Sequence, residues 1–493
     1  MTRARGAAAT APTSEHTAPG AAGKTAGGAR APVPWQTAWR MSSPESQSRA
    51  VAGVVAGEAL ERLAFHGLCA LLALYLNEHL LYAEREARGI FHLFLAAAYL
   101  APLAGRAVAA RLGCQRTVAL ASALHLAGLA LVAAVESRAG LAVGLVLVAA
   151  GAGGAMPATS ALVRGAFGAV GPEAAARWRI ALRRSVTAAS LAAKLGAPLL
   201  LVLAGPRAAF GAAAAALVAS ILVARSARSG AAGRAPVIEP HGFLRVVARA
   251  VSRLGTGHPG QHWLELARDA HPAEAVEGAR AVLRLAPVFA ALALFWALCD
   301  QRASAWVFQA RQLDLAVGGW VLSPAQLQAL GPLLALVLAP LLGGVLLPAL
   351  ARRDVDVPPL RKVSAGLFAT AAAFAAAGTL QAVIDLGHAP SLLWQVPQHL
   401  LLTAGELLVA VTGLELAYAR APRAMLGSIM SLGFLSIVAG NLLTVAVGKL
   451  FRLEGARWYW AFAVLGLVGA LAFRAAAGAG RRVSVERGAH VAE

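Results

Sequence analysis

The sequence predicts an all-α membrane protein, with twelve transmembrane helices arranged as two six-helix bundles. Three observations predict it. Hydrophobic residues make up 58% of the 493 positions and charged residues only 14%, and the mean hydropathy is +0.65. That balance excludes an ordinary soluble enzyme, because long apolar runs recur to the C-terminus. The runs parse into spans at 51–77, 90–110, 117–135, 139–163, 180–203, 206–224, 283–303, 326–350, 363–384, 391–418, 424–448 and 457–478. Each is long enough for a hydrocarbon core of about 30 Å. Six precede residue 225 and six follow residue 283, with the longest polar stretch between them.

The elements follow in order. Residues 1–50 are rich in Ala, Gly, Thr and Pro and show no apolar core with a cleavage site, so they read as a disordered cytosolic tail. Residues 51–225 form the N-terminal bundle, 226–282 a cytosolic linker with amphipathic helices, and 283–478 the C-terminal bundle; 479–493 form a cytosolic tail. Two such bundles are the plan of the major facilitator fold. Within the linker, Phe243, Leu244, Val247, Val251 and Leu254 recur at helical spacing, while Arg245, Arg249 and Arg253 line another face. This predicts a short cationic helix, either lying on the inner leaflet or solvated. The Gly151–Ala155 run and the Gly140 and Gly144 pair suit close helix packing, and Pro157, Pro198, Pro340 and Pro397 are candidate bends.

The net charge of +20 would suit a nucleic-acid partner, but its placement argues otherwise. With the N-terminus in the cytosol, most of the 44 Lys and Arg fall on that side, among them Arg106, Arg111, Arg116, Arg352, Arg353 and Lys362. Membrane orientation explains the charge, so the expected partner is the lipid bilayer and not nucleic acid. Cys69, Cys114 and Cys299 fall in or beside apolar spans and offer neither a disulfide framework nor a metal-ligand spacing. No phosphate-binding G-x-x-x-x-G-K-[ST] loop occurs. Neither enzymatic chemistry nor a metal or organic cofactor is expected; the energy source would be a proton gradient.

Four stretches could carry chemistry. Glu58, Glu61 and Arg62 lie at i, i+3 and i+4 in the first span, on one helix face. Each ionisable group there costs about 2.5–3.5 kcal/mol to insert. A structural Glu58–Arg62 pair needs only one carboxylate. The second, buried beside a like charge, can load and release a proton. His92 opens the second span, as a hydrogen-bonded tether or a proton carrier, and Tyr99 follows two turns later on the same face. In the seventh span Trp296 and Asp300 are i, i+4 neighbours, readable also as an interfacial aromatic and a helix-end carboxylate near the outer surface. Glu406 lies near mid-membrane in the tenth, where a fixed anion could receive a substrate's amino group.

Together these stretches resemble the proton-dependent oligopeptide transporter family, solute carrier family 15. Glu58 to Gly67 matches its E-x-x-E-R-F-x-F/Y-Y-G pattern, Phe295 to Trp306 its F-W-A-L-x-D-Q-Q-G-S-x-W run, and Trp394 to Pro422 its W-Q-I-P-Q-Y…L-T-x-G-E…T-G-L-E-F-x-Y-x-x-A-P run. The similarity extends over residues 55–475. It implies coupling of inward proton flow to uptake of di- and tripeptides and peptide-like compounds. By the same resemblance Glu58, Glu61, Arg62 and His92 would serve proton coupling. Glu406 would take the peptide ammonium, Trp296 would wall the side-chain pocket, Tyr99 and His66 would line the site, and Asp300 would gate it.

Departures accompany the matches. Met156 stands where the family commonly has Lys, Cys69 where it has the Arg that gates against Asp300, His66 at the second aromatic of the first motif, and Ala110 at a loop Asp. Arg183 and Thr187 fall at a Tyr and an Asn of the fifth span. Arg179, Arg183 and Lys194 share one face of that span, within about 60° on a helical wheel. A cation from this stripe, Arg183 in first place, would receive the peptide carboxylate in place of the missing Lys; otherwise Arg179 and Arg183 anchor the inner end of the helix. The expected protein is a monomeric symporter with both termini cytosolic, in the plasma membrane. The alternatives are a degenerate relative acting as a scaffold or peptide sensor, and an endolysosomal peptide and histidine carrier.

Overall fold

The computed structural model describes residues 44–227, 240–256, 258, 261–355, 357–420 and 425–489. Of the expected N-terminal tail, residues 1–43 lie outside the described residues, whereas 44–50 are already helical and open the first span. The C-terminal helix likewise runs past residue 478, so 479–489 continue it instead of forming a separate tail.

The first half comprises α1 (Pro44–Leu74), which ends in a π turn at Tyr75–His79, α2 (Glu84–Leu112), α3 (Cys114–Ala134), α4 (Arg138–Gly168) and α5 (Pro172–Ala227). Helix α5 has 56 residues and would extend about 84 Å if straight, far beyond a core of about 30 Å. It breaks at Gly205 (φ 80°, ψ 179°), a conformation open to glycine, and Pro206 follows at once. Pro198, a candidate bend, lies inside α5 away from this break.

The linker contributes α6 (Phe243–Ser252), a 3₁₀ turn (Trp263–Asp269) and α7 (Ala273–Leu283). The second half begins with α8 (Ala286–Cys299), a 3₁₀ turn at Asp300–Ala303 and α9 (Ala305–Ala310). Between α9 and α10 (Pro324–Ala351) lies a hairpin of β1 (Ala316–Val317) and β2 (Trp320–Val321). Its Gly318-Gly319 turn has positive φ at both positions, the arrangement that matches strand twist in two-residue hairpins. Then follow α11 (Pro359–Asp385), α12 (Val396–Arg420), α13 (Leu426–Phe451) and α14 (Ala456–Ala489). Pro340 precedes a π turn at Leu341–Leu346. Pro397 bends nothing, because it sits in the first turn of α12, where its missing N–H has no partner to lose.

Among the described residues ten helices are long and apolar enough to cross a membrane, or eleven with the pair Ala273–Leu283 and Ala286–Ala310, bent by 46°, counted as one span. The twelve passes read from the sequence are reached when α5 is counted twice and the bent pair once.

Each half has a core, and Val307, Phe308 and Ala325 of the second half extend that of the first. Phe65, Leu68, Phe91, Leu129, Val148 and Phe210 lie in the first, and Phe295, Trp306, Phe374, Leu402, Trp458 and Phe462 in the second. Glycines let the helices of the first half approach closely: a methyl at Gly128 would lie 2.7 Å from the Gly144 carbonyl oxygen. Between the halves α2 and α13 run antiparallel, with Tyr99 stacked on Phe434. At the end away from the linker, Arg311 reaches across to Glu84 (2.8 Å), Glu78 (3.7 Å) and the Asn77 side chain, and Arg88 lies 4.2 Å over the Trp458 ring.

The linker helix is not a free amphipathic element. Phe243, Val246 and Ala250 of α6 are buried in a cluster that includes Val276, Ala417, Met425 and Ile429, so the helix docks against the second half. The Phe243 N–H donates to Ser428 Oγ at 3.1 Å. On its cationic face Arg249 and Arg253 (3.0 Å) bind Asp269, a residue of the linker's own 3₁₀ turn. The stripe read from the spacing is not the face that docks: of its members Phe243 is buried and Val247 partly so, whereas Leu244, Val251 and Leu254 are exposed. Val246 and Ala250 take their place, because the residues that cover the helix lie far along the chain and approach it from another side.

Candidate functional site

In the first half, Arg62 Nε lies 3.0 Å from Glu58 Oε1 and 3.3 Å from Glu61 Oε2, so one guanidinium serves two carboxylates. All three side chains are mostly buried, at 14–19% exposure. His125 of α3 supplies a further neighbour, its Nδ1 at 3.6 Å from Glu61 Oε1. Its ring also meets Phe65 edge-on. It reaches this position because Gly151 has no side chain: a methyl there would strike the backbone at His125 and Ala121. Glu58 and Glu61 line a cavity of about 60 Å³ with Ser122, Thr159 and Ser220, room for water beside the carboxylates. The sequence reading missed His125, a lone histidine in an apolar span with no local motif around it.

The second cluster forms where the helix is interrupted between α8 and α9. The interruption puts Asp300 inside the protein, with α9 still to follow, and not at a helix end near the surface. Asn441 of α13 donates from Nδ2 to Asp300 Oδ2 at 2.7 Å. Asn441 Oδ1 lies 2.7 Å from His92 Nδ1, and His92 Nε2 lies 3.0 Å from Ser304 Oγ. With Nδ1 donating to the amide oxygen, Nε2 is left to accept from the hydroxyl. His92, 1% exposed, is therefore a fully engaged residue joining the two halves, and one side chain separates it from Asp300. It also lines a 390 Å³ vestibule between α2 and α13 at the end away from the linker, with Arg85, Glu86, Arg88, Lys449 and Trp458. Asn441 and Ser304 carry this connection; Ser304 stands at the Ser of the F-W-A-L-x-D-Q-Q-G-S-x-W run but was not singled out, and no sequence pattern pointed to Asn441.

The third cluster corrects a sequence expectation. Glu406 is not a free anion: Arg302 Nη2 lies 3.0 Å from its Oε2. Arg302 is 10% exposed at its side chain and Glu406 38%, so the carboxylate is partly accessible while the guanidinium is packed away. Gly331 of α10 makes room, since a methyl there would collide with Arg302 Nη1. Lys194 of α5 is the next cation, within electrostatic reach of Arg302 and Glu406. It makes no hydrogen bond or ion pair among the described residues. His399, 1% exposed, stacks edge-on against Trp306 with both ring nitrogens unpartnered, facing the same two cations. The signal for Arg302 was present in the sequence, as an Arg at the second Gln of the D-Q-Q-G motif.

The remaining predicted residues divide. Tyr99 lies between the clusters, with Asp300 and Arg62 as electrostatic neighbours, and His66 faces Lys194 and Arg62. Trp296 is half-buried, its Cβ beside Gly440 of α13. Arg183 does not join the site. It is exposed, and its guanidinium makes no ion pair among the described residues; Lys194, three turns on, is the cation of that stripe that arrives. Cys69 lies buried with Lys194 and Asp300 as its electrostatic neighbours. Met156 is buried in α4.

A model of the POT family matches residues 115–456. The chain belongs to the POT family. Among curated POT-type relatives it is 28% identical over 360 residues to "Solute carrier family 15 member 2" of Rattus norvegicus, an alignment covering 68% of this chain and 49% of that protein. It is 30% identical over 358 residues to "Peptide transporter 3" of Caenorhabditis elegans, covering 68% and 51%. The chain thus spans about half the length of these relatives. Among solved POT structures, the in meso crystal structure of PepTSo matches with a TM-score of 0.80 at 30% identity, covering 88% of this chain and 98% of that one. An auto-inhibited POT peptide transporter matches at 0.77 and 30%, covering 87% and 96%. The fold is therefore the helical major facilitator fold of POT proteins, and the chain is an integral, multi-pass membrane protein.

Proposed function

We propose that this POT-family chain is a proton-coupled symporter of short peptides and peptide-like compounds. The observation that carries the reading is the sharing of Arg62 by Glu58 and Glu61 in the middle of a membrane-length helix. One guanidinium balances one carboxylate, so the second is held at a cost that a bound proton relieves. Protonation at Glu61 leaves Arg62 to Glu58 alone and alters the contact of α1 with His125 of α3. His125 and the adjacent cavity offer that proton a path, and the His92–Asn441–Asp300 connection ties the two halves where they must separate. The names of the relatives and solved POT structures support a peptide as the cargo. The charge pattern supports cytosolic termini.

The test is uptake by reconstituted protein. In liposomes with an inward proton gradient, a labelled peptide should accumulate above its outside concentration, and Glu61→Gln should abolish accumulation while leaving peptide exchange across the membrane at zero gradient. Binding without accumulation would favour a second reading, a peptide-binding sensor or scaffold. One observation speaks for it: Arg302 already neutralises Glu406.

A further inference from the structure

We infer that a groove between α11 and α14, at the linker end of the second half, seats the phosphate of an anionic glycerophospholipid whose acyl chains lie along the exposed face of α14. The two helices run antiparallel in a fixed register. A methyl at Gly378 of α11 would meet the Trp460 ring of α14 at 2.9 Å, and one at Gly466 of α14 would lie 3.2 Å from Ala371 Cβ. Two turns further toward the linker end, the same register sets Arg474 of α14 opposite Ser364 of α11. There the surface opens into a groove of about 370 Å³, lined by Arg361, Ser364, Phe368 and Arg474 with the small Ala365 and Ala477.

Charge, depth and surface all suit a phospholipid. Two guanidiniums line the groove and no carboxylate does; Asp354, an acid of the same end, lines a separate groove with Lys362. Arg474 is exposed and makes no hydrogen bond or ion pair among the described residues. Arg361 stands in the first turn of α11, where the positive end of the helix dipole adds to the attraction for an anion. Arg474 follows Ala456, the first residue of α14, by about 27 Å along a straight helix, nearly the thickness of a hydrocarbon core, about 30 Å. The face leading to it is apolar: Val464, Leu467, Val468 and Leu471 are 45–57% exposed, and Arg474 stands one turn beyond Leu471. A free phosphate would use the arginines and leave the Phe368 wall idle, whereas a phospholipid uses both. Basic pockets between membrane spans recognise anionic headgroups in this way. Arginines that only anchor a helix in the headgroup layer need no groove.

The experiment titrates the delipidated full chain, in a neutral detergent, with dioleoyl-phosphatidylglycerol, dioleoyl-phosphatidylcholine or inorganic phosphate. Native mass spectrometry counts bound lipid, and thermal unfolding follows stability. Phosphatidylglycerol should stay bound in one copy under conditions that strip phosphatidylcholine, and it should raise the melting temperature where inorganic phosphate does not. Arg474→Gln should weaken phosphatidylglycerol binding about fivefold, the weight of one cation near an anionic headgroup. The double variant with Arg361→Gln should weaken it further, whereas Arg353→Gln, outside the groove, should not. Equal weakening by Arg353→Gln and Arg474→Gln would mean diffuse attraction to the whole basic end and overturns the site. Equal retention of phosphatidylcholine overturns the choice of an anion, and an equal shift from inorganic phosphate overturns the choice of a lipid. None of these readouts involves transport, so they stand or fall apart from the symport reading.

Discussion

The two buried charge clusters of the molecule are balanced differently. In the first half two carboxylates share one guanidinium, a surplus of acid. At the second cluster Asp300 and Glu406 meet two cations, Arg302 of their own half and Lys194, which α5 brings from the first, so acid and base match in number. Surplus acid in a low-dielectric setting is relieved by a proton, whereas a matched set presents both signs to a ligand. The difference teaches that the two tasks proposed for this chain, taking a proton and taking a ligand, can be divided between clusters by whether their charges match. Tyr99, with Arg62 and Asp300 both in electrostatic reach, lies between the two clusters.

The comparison breaks most sharply at its arginines. Arg62→Leu strands two mostly buried carboxylates and should destabilise the protein by about 3–5 kcal/mol. Arg302→Leu strands only Glu406, 38% exposed, and should cost about 1–2 kcal/mol, because water reaches that carboxylate. Thermal unfolding in detergent checks both, and equal losses would refute the asymmetry. Asn441→Ala cuts His92 from Asp300 and should cost about 1–3 kcal/mol, with a change in the pH profile of uptake that a merely structural contact would not produce. Gly331→Ala sharpens the comparison on the other side. By pushing Arg302 off Glu406 it should cost about 1–2 kcal/mol in overpacking, read as a lower melting temperature in detergent.

The smallest effect belongs to the linker. The Arg249 guanidinium, hydrogen-bonded to Asp269, holds that carboxyl below its ordinary range, with Arg253 adding to the effect. A lowered folded value means the pair's contribution is complete above the ordinary carboxylate pKa of about 3.9 and disappears as pH falls through the lowered value. Asp269→Asn should therefore melt slightly below wild type at pH 7 and together with it in strong acid. A difference that persisted in acid would assign the effect to something other than this pair.

Legibility in the sequence followed chain distance. The spans announced themselves through hydropathy, and Glu58, Glu61 and Arg62 through spacing on one helix, because both signals are complete within a few turns. His125 lies about sixty residues from Glu61 and Arg302 is 104 residues from Glu406, so neither pairing has a local signature. Arg302 was hidden in another way: a motif that matches at most positions draws attention from the one that departs. The stripe of Arg179, Arg183 and Lys194 located the correct helix face, but depth along the helix decided which cation arrives, and depth is not read from a wheel. The kink in α5 was visible as Gly205-Pro206, while Pro198 and Pro397 proved harmless for reasons of position.

Arg311 closes the end away from the linker by touching Glu78, Glu84 and Asn77, all in the first half, and the ionic partners are 35–41% exposed. Ion pairs so accessible to water contribute about 0–1 kcal/mol each, and mobile ions screen them over about 8 Å at physiological strength. A bias of about 1 kcal/mol is about fivefold in population. The electrostatic part of this closure is thus a light latch whose hold depends on the bathing medium. Dilute buffer would fasten it and concentrated salt would loosen it, so ionic strength becomes a dial on how often that end of the protein stands open.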